Sequence, residues 1–210
     1  MTADAARPLS AEVLRLVFDD LSRRLRAAES YNHHMMIAGG AALALRWDHR
    51  LTRDVDVLEH RLRWQHRHGE RHTAAVDFIS MRFPAALHRA AARTAETFGL
   101  AANWLNNAAG LYTPRCDLDA EVLYRSDALV VEAPAARVLL AMKLSARRDK
   151  DLDDAARLIA ETGISDPAEM IALVVEAFGA DDVTAETYQF VDESLAYLRA
   201  PTELEPGLDL

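Results

Sequence analysis

The residues from Ile37 to Leu58, IAGGAALALRWDHRLTRDVDVL, hold the types and spacing from which chemistry can be built. Small apolar residues lead into Gly39-Gly40, an Ala/Leu-rich segment follows, and Thr52-Arg53-Asp54-Val55-Asp56 restores strand alternation. The stretch therefore reads as strand, glycine turn, helix, strand. Glycines in the turn let the backbone come close to a phosphate at a helix N-terminus, where open N–H groups and the helix dipole favour negative charge. Asp54 and Asp56, two apart on a strand, point to one face. Paired hard carboxylates suit Mg²⁺ (or Mn²⁺) that also binds a nucleoside triphosphate. Taken singly, the pieces have plainer readings: a turn, and the solvated face of a strand.

A second constellation lies around the chain's only two lysines, Lys143 and Lys150. At 100° per residue, Lys143, Arg147, Lys150 and Asp154 fall near one helix face, with Asp151 at its margin. A cationic face opposite a carboxylate–metal site would neutralise a triphosphate and the charge that builds on a leaving pyrophosphate. The competing reading is local: Asp151 caps the next helix, Asp154 sits in its first turn, and the basic residues favour the preceding helix C-terminus.

The elements that must position these groups follow from periodicity. Residues 10–28 place Val13, Leu14, Val17, Leu21 and Leu25 at helical spacing with Ser10 as N-cap. His33 and His34 read as ordinary polar residues ahead of a short strand through Met35-Met36-Ile37. Residues 46–72 carry seven Arg, five Asp/Glu and five of the eight His, with Trp47 and Trp64 interspersed. This is either a nucleotide- or RNA-contacting surface, since arginine and aromatics bind phosphate and stack on bases, or a solvated His-rich hairpin. A strand over 75–83 brings Asp77 near the sheet, and a helix runs from Pro84 to Phe98, ended by Gly99. Trp104 to Asn107 begins a short helical or turn element. Residues 116–123, CDLDAEVL, read as a strand with Asp117, Asp119 and Glu121 on one face. A further strand over 128–132 completes a mixed sheet of about five strands. From Pro134 the chain is helical over 134–148, 151–161, 167–178 and 184–198, and 201–210 reads as an acidic tail.

Composition sets bounds. A 210-residue chain with 50% hydrophobic and 27% charged residues is globular. No apolar run reaches a membrane span, and the start MTADAARPLS lacks a leader pattern, so a cytoplasmic protein with no membrane partner is expected. The single Cys116 excludes an internal disulfide and disfavours a cysteine zinc site. The net charge of −9 is uneven: residues 151–210 hold 15 Asp/Glu and two Arg, which leaves residues 1–150 at +4. The total charge therefore does not exclude an RNA partner.

At these residues the chain resembles the nucleotidyltransferase superfamily, whose motif is Gly-Gly or Gly-Ser, a short helix, then Asp-x-Asp on the next strand. More narrowly, it is similar to the AbiEii/MenT-type toxin nucleotidyltransferases of bacterial toxin–antitoxin systems. The resemblance covers roughly residues 30 to 160 and rests on four elements in order: Gly39 to Leu43, Thr52 to Asp56, Trp104-Leu105-Asn106, and Leu139 to Asp154. It departs at Gly40, where relatives often carry Ser.

The resemblance implies an α+β fold: a nucleotidyltransferase-like mixed-sheet core with flanking helices over 1–133, a C-terminal helical bundle over 134–200, and the tail. It implies metal held by Asp54 and Asp56, a third carboxylate from a strand next to the one bearing Asp-x-Asp (Asp119, with Asp117 and Glu121 as rivals), and triphosphate binding by Lys143. Around the nucleotide it implies Gly39, Gly40, Thr52, Arg53, Arg147, Arg148, Lys150, Asp151 and Asp154. The implied reaction transfers a nucleoside monophosphate to RNA, above all a tRNA 3′ end, which blocks translation. An antitoxin would restrain it, in some relatives a kinase-like one acting at the position of Thr52. Nucleotidylation of a protein, and a non-catalytic domain acting as a binding or antitoxin module, are the alternatives.

Overall fold

Ser10 accepts a hydrogen bond from the Val13 amide at 3.3 Å and starts helix α1 (Ala11–Ala27). Leu14, Val17, Phe18, Leu21 and Leu25 recur at helical spacing and are fully buried. The computed structural model describes residues 8–64, 76–80 and 83–200, with the backbone alone at 62–64 and 76–80. The His-rich residues 65–72, the side chains of Trp64 and Asp77, and the tail 201–210 lie outside the described residues. The fold is α+β. The chain divides into two units, Met1–Thr113 with Leu118–Ala135, and Pro114–Asp117 with Ala136–Leu210.

The first unit holds a mixed sheet. Its strands are β1 (His33–Ala38), β2 (Val55–Trp64), β3 (Val76–Ser80), β4 (Leu105–Asn106), β5 (Glu121–Arg125) and β6 (Leu129–Ala133). Their order is β3-β2-β1-β6-β5, with the two-residue β4 pairing β2 off that path. β1 runs antiparallel to β2 and parallel to β6. Helix α2 (Gly39–Arg46) follows β1 directly, and α3 (Ala85–Phe98) runs from Pro84 to Gly99, which takes the left-handed conformation at φ 65°. Trp104 is 1% exposed and donates its indole N–H to the Ala91 carbonyl at 3.0 Å, tying β4 to α3. Buried Asp20 does the same for α1 and α3, accepting from Arg24 Nε at 2.6 Å and Thr94 Oγ1 at 2.8 Å.

Two expectations differ here. His33 lies inside β1 and is fully buried, its Nδ1 sharing a proton with His60 Nε2 at 3.1 Å. Neighbouring strands supply each histidine with cover that local polarity cannot foresee. The strand expected from Cys116 starts only at Glu121, because Asp119 sits at φ 44°, outside extended backbone.

The second unit is helical: α4 (Ala136–Ala146), α5 (Leu152–Thr162), α6 (Pro167–Phe178) and α7 (Ala185–Arg199). α5 packs on α7, and α4 packs on both α5 and α6. Asp166 caps α6 through the Ala168 amide with Pro167 in its first turn, and Gly163 closes α5 at φ 70°. Among the described residues no helix is long and apolar enough to cross a membrane.

Candidate functional site

Gly39 meets Asp56, and Gly40 meets Thr52, in the first unit. Gly39 opens α2 at φ 61°, a conformation that favours glycine, and a Cβ there would stand 3.1 Å from Asp56 Oδ2. A Cβ on Gly40 would stand 2.6 Å from Thr52 Oγ1 and 3.0 Å from Thr52 Cβ, closer than real side chains pack. Both glycines are therefore required by close approach, one for a carboxylate and one for a threonine. Ala38 pairs with Asp56 across the β1–β2 ladder, so the carboxylate lies at the start of α2 where backbone N–H groups have no helical partner.

Thr52 is fixed before the strand begins. Its backbone exchanges two hydrogen bonds with Leu9, at 2.7 and 3.0 Å, and its hydroxyl donates to the Asp54 carbonyl at 3.0 Å. Thr52 is 8% exposed, while Arg53 and Asp54 are exposed and Asp56 is half-buried. Between Asp54 and Asp56 lies fully buried Val55, so burial alternates as a strand edge requires.

A β-bulge sets the direction of Asp56. Met36 pairs with Glu59 but Ile37 pairs with Val57, which leaves Leu58 as the extra residue. Uninterrupted alternation would put Asp56 on the same face as buried His60. Past the bulge, Asp56 shares its face with Glu59 and Arg61 instead. The bulged Leu58 carbonyl is covered by Gly110, where a Cβ would come within 3.0 Å of it.

Asn106 was not among the site residues expected from the sequence. It lies opposite Asp56 in the parallel β2–β4 pairing, and its Oδ1 accepts from the Ala108 amide at 3.0 Å, which orients the amide. The signal was the Trp104-Leu105-Asn106 string, in which Trp104 is a core anchor and Asn106 reaches the acidic strand.

The third carboxylate is not where the resemblance implies. β5 lies three strands from β2, about 14 Å at the usual spacing. Asp119 precedes β5 rather than lying on a neighbour of the acidic strand. Glu121, its rival on β5, is 2.7 Å from Arg46 at the far end of α2. Asp117 belongs to the second unit. Among the described residues no group of three or more His, Cys, Asp or Glu side chains is arranged to hold a metal ion. Two carboxylates nevertheless fit Mg²⁺, which typically keeps several waters and takes one or two carboxylates plus substrate phosphates.

In the second unit the lysine constellation has another arrangement. Arg147 at φ 50° ends α4, so no continuous helix carries Lys143 and Lys150 on one face. Lys143 is 5% exposed and donates to Asp151 at 2.6 Å and Asp154 at 2.8 Å, both also buried. Arg148 donates to the other Asp151 oxygen at 2.6 Å, and Arg147 holds the Asp182 carbonyl and Thr187 hydroxyl at 3.0 Å each. Asp151 occupies the cap position of α5 without a side-chain cap bond, because its oxygens serve these cations. Lys143 thus joins α4 to α5 with its charge satisfied internally, and of this segment's basic residues only Arg148 and Lys150 are exposed.

No protein-family model, curated protein or solved structure matches the chain.

Proposed function

We propose that the chain is a nucleotidyltransferase of the AbiEii/MenT toxin type, transferring a nucleoside monophosphate from a nucleoside triphosphate to an RNA acceptor, above all a tRNA 3′ end. The observation that carries this reading is the approach of Gly39 and Gly40 to Asp56 and Thr52, within 3.1 and 2.6 Å of the positions their Cβ atoms would take. Sequence-adjacent glycines at a helix start, with one carboxylate of an Asp-x-Asp pair against the first, are what a triphosphate and its metal need together. In this reading the first unit is the nucleotidyltransferase core and the second its helical C-terminal bundle.

Asp54 and Asp56 would hold Mg²⁺ or Mn²⁺, which when bound supplies charge neutralisation at the phosphates and at the leaving group. The α2 N-terminus receives the phosphate oxygens through backbone N–H groups. The acceptor hydroxyl oxygen forms the new bond to the α-phosphorus, its proton passes to solvent, and the bond to pyrophosphate breaks. Lys143 serves the fold, and exposed Arg53 is the cation nearest the acidic pair in sequence. A cognate antitoxin would restrain the activity.

The test is incubation of the protein with each labelled nucleoside triphosphate, Mg²⁺, and either total RNA or protein extract. Label moves to RNA, and Asp54→Ala and Asp56→Ala each lower transfer at least about a hundredfold, the effect of several kcal/mol of lost transition-state stabilisation. Full activity in both variants, or label on protein alone, overturns the reading.

A further inference from the structure

A cleft of about 420 Å³ opens in the first unit between α1 and the end of β5. Ser22, Arg23 and Arg26 line it from α1, and Tyr124, Arg125 and Ser126 line it from the strand and its turn. Its acidic members, Asp19 and Asp20, already have partners. Asp19 accepts the Tyr124 hydroxyl at 2.8 Å. Asp20 is bound by Arg23, Arg24 and Thr94; burial pushes its carboxyl up, but those hydrogen bonds outweigh it and hold the group below its ordinary range.

The basic members are less committed. Arg26 reaches only Asp127, at 3.5 Å with both side chains about half exposed, a contact worth little in water. Arg125 is exposed, and its side chain makes no hydrogen bond or ion pair among the described residues. The walls are nonetheless fixed: Ser22 and Ser126 share a 2.7 Å hydrogen bond, and the Tyr124 ring packs on Phe18 with centroids 5.7 Å apart.

Two rulers place this cleft away from the acidic pair. Asp56 pairs with Ala38 at one end of β1, whereas the Ser126 turn joins Leu129, which pairs with His33 at the other end. Five strand steps separate them, about 17 Å. Along α1, Arg23 stands 13 residues beyond Ser10, about 20 Å from the end at which Leu9 pairs with Thr52. A mononucleotide held at Gly39 and Asp56 does not reach so far, but successive phosphates of a polymer do.

The geometry points to the Arg23–Arg26–Arg125 cleft as a second phosphate site, which grips the backbone of the acceptor RNA while its end lies at Asp54 and Asp56. This rests on the reading that the acceptor is RNA. Arginine suits the role because its planar fork pairs with phosphate oxygens and stays charged. Backbone contacts of this kind set affinity and register without reading sequence.

The experiment measures binding of end-labelled total tRNA by fluorescence anisotropy across a salt series, beside the label-transfer assay. Arg26→Gln/Arg125→Gln is compared with wild type and with Arg89→Gln/Arg93→Gln, which removes the same charge from exposed positions on α3. Arg23 is left in place because it also holds Asp20. The cleft variant should bind about tenfold or more weakly, with the slope of log Kd against log salt reduced by about 1.4 to 1.8, the share of two phosphate contacts. The α3 variant should stay within about twofold, and Arg26→Lys/Arg125→Lys should recover binding, which separates lost charge from misfolding. A cleft variant that binds like wild type, while wild type labels RNA, overturns the cleft and leaves the nucleotidyltransferase reading standing. A wild-type protein that neither binds nor labels RNA overturns both.

Discussion

Gly40 and Thr52 are in contact so close that no side chain fits between them: a Cβ on residue 40 would stand 2.6 Å from the threonine hydroxyl. Gly40→Ala must therefore move either α2 or the Leu9–Thr52 bridge, at a cost of about 1 to 3 kcal/mol as overpacking, and carry the phosphate-binding turn with it. Gly99→Ala is the control, since nothing lies within 4 Å of its Cβ position and only its φ of 65° is strained. It should cost about 1 kcal/mol and leave label transfer intact. Urea denaturation and transfer rates of the two variants make the comparison.

Thr52→Val keeps the shape against Gly40 and loses the 3.0 Å hydrogen bond to the Asp54 carbonyl with the weaker 3.5 Å one to its carboxylate. It should lower stability by about 1 kcal/mol and leave most of the transfer activity. Thr52→Glu places a longer, charged side chain in a position that is 8% exposed, beside two carboxylates. Transfer and growth arrest on expression should both be lost. Thr52 is 8% exposed, so a kinase-like antitoxin would need this segment to open before reaching the hydroxyl, and phosphorylation in vitro should speed up in a Leu9→Pro variant, which lacks the amide that bonds the Thr52 carbonyl. A folded Thr52→Glu protein as active as wild type would remove the basis for control at this residue.

Lys143→Ala leaves buried Asp151 with Arg148 and takes from buried Asp154 its lysine partner. Breaking a buried pair in this way costs about 3 to 5 kcal/mol, so the melting temperature should drop sharply. Lys143→Met with Asp154→Leu removes the charges together and should recover much of that loss. If Lys143→Ala instead raised the KM for nucleoside triphosphate with no change in melting, the lysine would be a nucleotide ligand.

The His33–His60 pair makes stability depend on pH. Burial, with charge repulsion from the neighbouring histidines, lowers each from the ordinary 6.5 to about 4. The unfolded chain therefore takes up protons between pH 6.5 and 4 while the folded chain does not, so stability is full above pH 6.5 and falls as the solution is acidified. The loss between pH 7 and 5 should be roughly 2 to 4 kcal/mol for the two groups. His60→Phe removes one titration and should flatten the dependence by about half, as followed by the urea midpoint at each pH.

Helices were legible because their signals are local. Ser10 before the 14, 17, 18, 21, 25 pattern, and Pro84 with Gly99 around α3, mark ends that the structure keeps within a residue or two. The nearness of Gly39 to Asp56 was also readable, because a strand, a short helix and a return strand leave few ways to connect. What depends on distant pairing was not. Asn106 meets Asp56 only through a two-residue parallel strand, and β5 falls at the opposite side of β1 from β2. The alternation of Asp117, Asp119 and Glu121 imitated a strand that one left-handed residue cuts short. Lys143 looked available because a helical projection carries no information about what covers a face.

The extra residue at Leu58 also limits which insertions and deletions the gene can tolerate. On its two sides the β2 ladder keeps a period of two but runs out of phase, and that offset turns Asp56 away from the His60 face. Loss of the single codon for Leu58 would leave every residue of the acidic motif in place and every neighbouring strand unchanged. It would also join the two phases into one regular ladder in which Asp56 keeps the face of Glu59 and Arg61, whereas straightening the strand with Leu58 retained would turn Asp56 to the side where His33 and His60 are packed. Loss of the one bulged residue should therefore be tolerated by the acidic motif, while a change that straightens the strand and keeps all the residues between Asp56 and His60 should not.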